Sequence, residues 1–350
     1  MKLPKKVRNR SMKETILYEK LSGRRVRCNV CAVRCVIAEG QEGICRTRIN
    51  REGVLYTLIY NRVSAVHADP IEKKPLYHFY PGSKILSLGT LGCNFRCPGC
   101  QNWEISHAGS GMLETGTVEL TTDQMLDLMK ENRCSGICWT YNDPSIWLEY
   151  TLEGAKLAKQ QGYYAVYITN GFITPEALDM IGPYLDAFRV DLKGFEAISY
   201  KKIAGLGRIG KILEAAVRAK TKWGMHVECV TNVTPGINDS PEELHKIAMA
   251  IKTELGVDTP WHLTRFYPYL ELAHLSPTPL STLERAVEIG RGEGLWYVYI
   301  GNVPGHPWED TYCHGCQTLL IKRKGYLVLE NNLLDGRCPS CHIAIPGRFV

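Results

Sequence analysis

Cys93-Asn-Phe-Arg-Cys97-Pro-Gly-Cys100 carries the first chemical signal in this chain. A structural four-iron, four-sulfur (4Fe–4S) cubane takes four thiolates. The C-x3-C-x2-C spacing supplies three, with no fourth cysteine close in sequence. Three ligands leave one iron open, as catalytic zinc sites keep one position free. An open iron can chelate the amino and carboxylate groups of S-adenosylmethionine (SAM). An electron passed into the sulfonium then breaks a carbon–sulfur bond and leaves a 5′-deoxyadenosyl radical, chemistry that belongs to the cofactor while the protein aims it. The competing reading of the triplet is a zinc knuckle or a buried thiol cluster.

Two further sets of thiols flank the triplet. Cys313-His-Gly-Cys316 and Cys338-Pro-Ser-Cys341 are C-x2-C knuckles with 21 residues between them. Within that stretch, 318–322 and 326–330 read as a hairpin around Gly325. This is the layout of a zinc ribbon or a rubredoxin-like site, and four thiolates close the coordination sphere. The metal there is structural or passes electrons, with zinc favoured over iron. Cys28, Cys31, Cys35 and Cys45 follow C-x2-C-x3-C-x9-C. Their number suits one tetrahedral metal, and the tight x2-x3 run also suits a cluster. Spacing alone does not choose zinc over iron–sulfur, and three ligands with a bystander is the other reading. Cys134, Cys138 and Cys229 read as small hydrophobes.

The clustering of fourteen cysteines argues for metal sites over a disulfide framework in a chain for which no secretory leader is expected. Its start, Met-Lys-Leu-Pro-Lys-Lys-Val-Arg-Asn-Arg, is basic, but no apolar h-region follows. No apolar run reaches the roughly 18 residues that a membrane span needs. A cytoplasmic protein without a membrane partner is expected. The net charge of +6 fits an anionic ligand or nucleic acid and equally a plain soluble enzyme, since no dense basic patch lies beyond the N-terminal tail.

The elements that must position these residues fall into three segments. Residues 1–75 form a cysteine-rich lead-in without clear periodicity, 76–305 a core, and 306–350 a four-cysteine module. Core strands are expected at 84–90, 136–141, 164–169, 187–192, 227–233, 262–266 and 297–301, each short, apolar and bounded by turn residues. Helical patterns lie between them. Ser240-Pro-Glu-Glu243 is a helix start with a serine N-cap and Pro in the first position. Ser281 and Glu284 make a second expected capping box, and Gly162 and Gly294 are expected stops. The alternation implies α/β architecture with a parallel sheet, an open or partial (β/α) barrel, with a doubly wound sheet as the alternative. Both place ligands at the carboxyl ends of strands. The unusual polar residues do follow the strands, including Asn142, Asp143, Asn170, Asp191 and Lys193.

The stretch from Leu88 to Ser106 resembles the cluster loop of the AmmeMemoRadiSam-system radical SAM enzymes, relatives of the pyruvate formate-lyase activating enzyme. The similarity extends through Asp69–Phe79, Tyr297–Gly305 and the terminal cysteine pairs, and so over nearly the whole chain. It implies a radical SAM partial barrel, one catalytic cluster on Cys93, Cys97 and Cys100, and an electron donor. The family usually has an aromatic residue just before the last cysteine, near the adenine, where this chain has Gly99. Adenine packing must then come from elsewhere, with Phe95 and Trp103 as candidates.

Thr140-Tyr-Asn-Asp-Pro-Ser145 resembles the family's Tyr-Asn-Glu-Pro stretch. Its carboxylate and carbonyls at a strand end can receive the SAM ammonium through charge-assisted hydrogen bonds. Asp143 or Ser145 could equally cap the following helix. Asp191-Leu-Lys193 resembles the Asp-x-Lys of glycyl-radical activating enzymes. Lys193 could neutralise the SAM carboxylate, with Asp191 orienting it or the ribose; a barrel-lining ion pair is the alternative. Asn170 could hold a ribose hydroxyl or make an Asn-Gly turn. His262, Arg265 and Tyr267 could face the substrate or line the barrel.

The function expected is hydrogen abstraction by a deoxyadenosyl radical. The target would be a glycine in a partner protein, an RNA base or a small molecule. The competing class is a non-catalytic metal-binding adaptor contacting nucleic acid, which would need closed four-ligand sites throughout.

Overall fold

The apolar runs of the core form parallel strands in the computed structural model, which describes residues 12–205 and 209–349. The basic start of the chain lies outside them. The described residues divide into two compact units: 12–68, Ile85–Arg96 and Cys100–Asp186; and Asp69–Lys84, Cys97–Gly99 and the described part of 187–349. In the first unit, Gly136–Trp139 lies between Lys84–Gly89 and Tyr164–Thr169, parallel to both. Nearly every residue of these strands is buried, and strands covered on both faces read as unbroken apolar runs. Helices Thr122–Glu131 and Leu148–Gln160 pack on each other, and the second also packs on two of the strands.

In the second unit, Ala187–Asp191, His226–Val233, Trp261–Arg265 and Val298–Gly301 pair in that order, all parallel. Helices Ile209–Thr221 and Leu280–Gly292 pack on these strands, and Pro241–Ala250 packs on Leu280–Gly292. Ser240 caps its helix as expected, accepting from the Glu243 amide at 3.2 Å. The Glu243 carboxylate turns instead to the amides of Phe195 and Glu196. The box expected at Ser281 and Glu284 does not form. Pro279, with its fixed φ, starts the helix earlier, so Ser281 is already inside Leu280–Gly292. Gly162 and Gly294 follow their helices at φ +78° and +93° and stop them as expected.

The flanking segments are antiparallel. Residues 12–57 hold two three-stranded sheets: Tyr18–Lys20, Val26–Cys28 and Val36–Ile37; and Lys13–Glu14, Val54–Thr57 and Arg48–Arg51. Near the C-terminus, Thr311–Tyr312, Leu319–Lys324 and Leu327–Asn331 form a third. Its hairpin turns at Gly325, φ +62°, as the sequence pattern implied, and each of its two strands begins one residue later than expected. The molecule is thus mixed α/β with a parallel-stranded core and a C-terminal four-cysteine module.

The second unit buries Glu228 among four donors: the amides of Tyr77 (3.1 Å) and His78 (2.8 Å), and the rings of His226 (2.8 Å) and His262 (2.6 Å). Burial alone would raise this carboxyl, but the hydrogen bonds from His226 and His262 hold it well below the ordinary range. Burial pushes His78 down to about 3 from an ordinary 6.5. Below pH 6.5 the unfolded chain protonates this histidine while the folded chain does not. The unfolded state then binds more protons, so stability falls as pH drops from about 6.5 toward 3. Glu228, whose depressed value acts in the same direction, adds its loss at lower pH. The thermal midpoint is expected to fall through this window, and His78→Gln should flatten its upper part. An unchanged midpoint from neutral pH to about pH 4 would remove this account.

Candidate iron–sulfur and SAM site

In the first unit, strand Lys84–Gly89 runs into the loop that carries Cys93. The next residue, Asn94, is fully buried. Its Oδ1 accepts from Asn170 Nδ2 at 2.8 Å and lies 3.6 Å from Cys93 Sγ, while its Nδ2 has no hydrogen-bond partner. Buried amide donors are almost always satisfied. One left over beside a proposed ligand fits an acceptor that belongs there, such as a cluster sulfur. Cys100 Sγ lies 3.1 Å from Ser106 Oγ. The donor set and this amide together fit an iron–sulfur group.

Asn142 and Asp143 follow strand Gly136–Trp139 and are built into this loop. Asn142 donates to the Gly92 carbonyl at 2.7 Å, and Asn102 donates to the Tyr141 carbonyl at 2.8 Å. Tyr141 between them is left-handed at φ +74°, a strained position for a residue with a side chain. The Asp143 carboxylate takes Thr169 Oγ1 at 2.7 Å and the Asn170 amide at 2.9 Å on one oxygen. The other takes the Ser145 amide at 3.0 Å and the Ser145 hydroxyl. These four donors fill its acceptor positions, so Asp143 caps the helical turn and ties two strand ends together. Burial raises its pKa against the pull of those bonds. Asn170 makes a local turn, accepting from the Phe172 amide at 2.9 Å, and spends its own amide on Asn94.

In the second unit, Lys193 Nζ lies 2.8 Å from Asp191 Oδ2, and Arg189 engages the other carboxylate oxygen. Alternation along the strand end thus brings Asp191 and Lys193 together. Burial pulls the Lys193 pKa down, but the charges of Asp191 and then Cys97 more than reverse it and keep the ammonium charged. At Gly99 a Cβ would stand 2.8 Å from Leu272 Cδ1 and 3.4 Å from Phe266 Cε2. Those side chains fill the space that an aromatic there would enter. Of the two adenine candidates, Phe95 is buried against Phe172 and only Trp103 is exposed. His262, a candidate for facing substrate, is instead buried on Glu228. Arg265 donates to the Thr278 carbonyl, and Tyr267 is exposed. The sequence reading missed the Glu228 cluster, although His226-x-Glu228 in an apolar strand places both residues on one face.

The four C-terminal cysteines converge. Their sulfurs all lie within 4.8 Å of one another, with Cys313–Cys341 at 3.6 Å and Cys316–Cys338 at 3.5 Å. Gln317 and His342, each directly after a knuckle's second cysteine, are both left-handed. The two knuckles therefore share one backbone turn. Cys28, Cys31 and Cys45 are buried and Cys35 is half-buried; all four line one small cavity. Cys134, Cys138 and Cys229 are buried, as expected of small hydrophobes.

The radical SAM superfamily model matches residues 88–251. An uncharacterized protein of Methanocaldococcus jannaschii is 42% identical over 332 residues, covering 94% of this chain and 98% of that protein. A second protein of that organism, named for glycyl-radical enzyme activation, is 25% identical over 193 residues, 53% of this chain and 68% of its own length. A radical SAM methyltransferase from Sphaerobacter thermophilus shares the fold, with a TM-score of 0.50 and 17% identity over 63% of this chain and 67% of its own. The chain belongs to the radical SAM superfamily and is an enzyme of that class. Membership implies a 4Fe–4S cluster, SAM and an electron donor. Among the described residues, no helix is long and apolar enough to cross a membrane.

Proposed function

We propose that Cys93, Cys97 and Cys100 hold the SAM-cleaving cluster of an activating-enzyme-like radical SAM enzyme of the AmmeMemoRadiSam type. The observation that carries this reading is the three-thiolate C-x3-C-x2-C loop directly after the first parallel strand of a radical SAM chain. Bound together, the cluster and SAM supply a 5′-deoxyadenosyl radical that abstracts hydrogen from a substrate. Asn94, whose buried amide nitrogen has no partner in the protein, would donate to a cluster sulfur. The Thr140–Asp143 shelf receives the SAM ammonium, with Asn142, Asp143 and Asn170 fixing its backbone through the bonds described above. Lys193 neutralises the SAM carboxylate, and Asp191 orients Lys193. Likeness to a protein named for glycyl-radical enzyme activation favours a protein or peptide target over RNA or a small molecule.

The three-part organisation serves this chemistry: a cysteine-rich segment at 1–75, the catalytic core at 76–305 and a ribbon at 306–350. The ribbon's four converging thiols hold one structural ion, which we take to be zinc. Anaerobic reconstitution followed by quantification of 5′-deoxyadenosine under reductant tests the reading. A reconstituted chain that forms none would overturn it.

Lys193→Ala is expected to weaken SAM binding while leaving cluster absorbance intact. A charge-assisted hydrogen bond is worth about 1.5–3 kcal/mol, which corresponds to roughly ten- to a hundredfold in affinity. Unchanged affinity with an intact cluster would reduce Asp191 and Lys193 to a barrel ion pair.

A further inference from the structure

We propose that Cys28, Cys31, Cys35 and Cys45 hold a second iron–sulfur cubane, and that this cubane passes electrons to the Cys93 loop. The spacing of the thiols separates this site from the ribbon. A single ion about 2.3 Å from each of four sulfurs sets those sulfurs roughly 3.8 Å apart by tetrahedral geometry. The ribbon's sulfurs stand near that spacing, at 3.5 and 3.6 Å. Among the described residues, the N-terminal cysteines do not bring three sulfurs within 4.8 Å of one another. They surround a hollow of about 10 Å³ walled by Val30, Ile37, Ile44 and Ile146. One ion would leave no hollow at the centre of its ligands, whereas a cubane carries its thiolates apart on the corners of a central body. Gly43 borders the hollow. A Cβ there would stand 3.8 Å from Cys35 Sγ, 3.9 Å from Cys45 Sγ and 3.2 Å from Ile37 Cδ1, so glycine keeps the space open.

Four thiolates leave no iron open to chelate SAM, so the chemistry left to this cluster is one-electron transfer. Its place in the first unit suits that role. Gly92, directly before Cys93, is left-handed at φ +81°, and a Cβ on it would lie 2.5 Å from the Cys45 carbonyl oxygen. A ligand of one site and the neighbour of a ligand of the other thus meet backbone to backbone. Arg96 makes a second connection, donating to the Ile44 carbonyl and to the Ser106 carbonyl, each at 3.1 Å. Ile44 precedes Cys45, and the Ser106 hydroxyl lies 3.1 Å from Cys100 Sγ. A low-potential one-electron donor reduces the N-terminal cubane by one electron. That electron moves on to the other cluster, and the first returns to its oxidised state. The relay, though not the second site, rests on the reading that the Cys93 loop holds the SAM-cleaving cluster.

The test reconstitutes the Cys93/Cys97/Cys100→Ala triple variant anaerobically with iron and sulfide. Retention of about four acid-labile sulfides per chain is expected, with a cubane electron paramagnetic resonance signal after dithionite. Metal without labile sulfide would overturn the proposal, since the ribbon's single ion carries none. Cys31→Ala/Cys35→Ala in the otherwise unchanged chain, which leaves two thiolates as anchors, gives an independent check, lowering labile sulfide from about eight to about four; unchanged sulfide would also overturn it. In the dithionite-reduced unmodified protein the two signals should broaden each other, and a plain sum of two isolated signals would sink the relay. If the unmodified chain fails to cleave SAM while the triple variant keeps its cubane, the catalytic reading fails and the second site stands.

Discussion

Alanine at Cys93, Cys97 or Cys100 is expected to reduce SAM cleavage below detection under reductant. This is the largest effect that the arrangement predicts. A cubane bound by three thiolates has no ligand to spare: removing one leaves two anchors and a second exposed iron, and the site can no longer present a single open iron to the substrate's amino and carboxylate groups. The loss is therefore of the cofactor itself and not of one transition-state contact. Each single variant should yield no 5′-deoxyadenosine after anaerobic reconstitution. The ribbon should keep its metal in all three, because its four sulfurs converge without help from this loop. Full activity in any of the three would remove the cluster assignment.

The strands were legible because buried parallel strands appear as short unbroken apolar runs. Tyr164–Thr169 matches the sequence reading at both ends, and the others differ by one or two residues. The ribbon was legible for a different reason: its cysteine spacing is a metal geometry written directly into the chain. The N-terminal sheets were not legible. Their strands are two to four residues long, too short for alternation to repeat, and cross-strand pairing holds them together. The polar residues at the strand ends were found, with the local cap at Asp143 and the Asp191–Lys193 pair, but their distant partners were not. Asp143 looked available to a ligand because nothing local shows that Thr169 and Asn170, more than twenty residues on, would occupy one of its oxygens. Asn94 drew no notice inside the cysteine motif, since only the packed chain leaves its amide without an acceptor.

Glu149→Ala is expected to destabilise the chain by about 3–5 kcal/mol. Arg48 and Glu149 form a two-pronged ion pair, 2.8 Å on each prong, with both side chains almost completely buried. Arg48 also donates to Thr15 Oγ1 at 2.6 Å and to the Ile146 carbonyl at 3.0 Å. The pair fastens the strand Arg48–Arg51 to the helix Leu148–Gln160. Removing the carboxylate strands a guanidinium out of reach of water, and that uncompensated charge is the larger part of the cost. The urea midpoint should drop, and hydrogen exchange should rise first at residues 26–57, where Arg48 also borders the cavity of Cys28, Cys31, Cys35 and Cys45. The double variant Arg48→Met/Glu149→Leu distinguishes lost attraction from stranded charge. Replacing a buried ion pair by apolar side chains of similar volume is often neutral or stabilising, so the double variant should recover most of the loss seen in Glu149→Ala. A double variant as unstable as the single one would mean that the pair's directional bonds to Thr15 and Ile146 hold the segment in place.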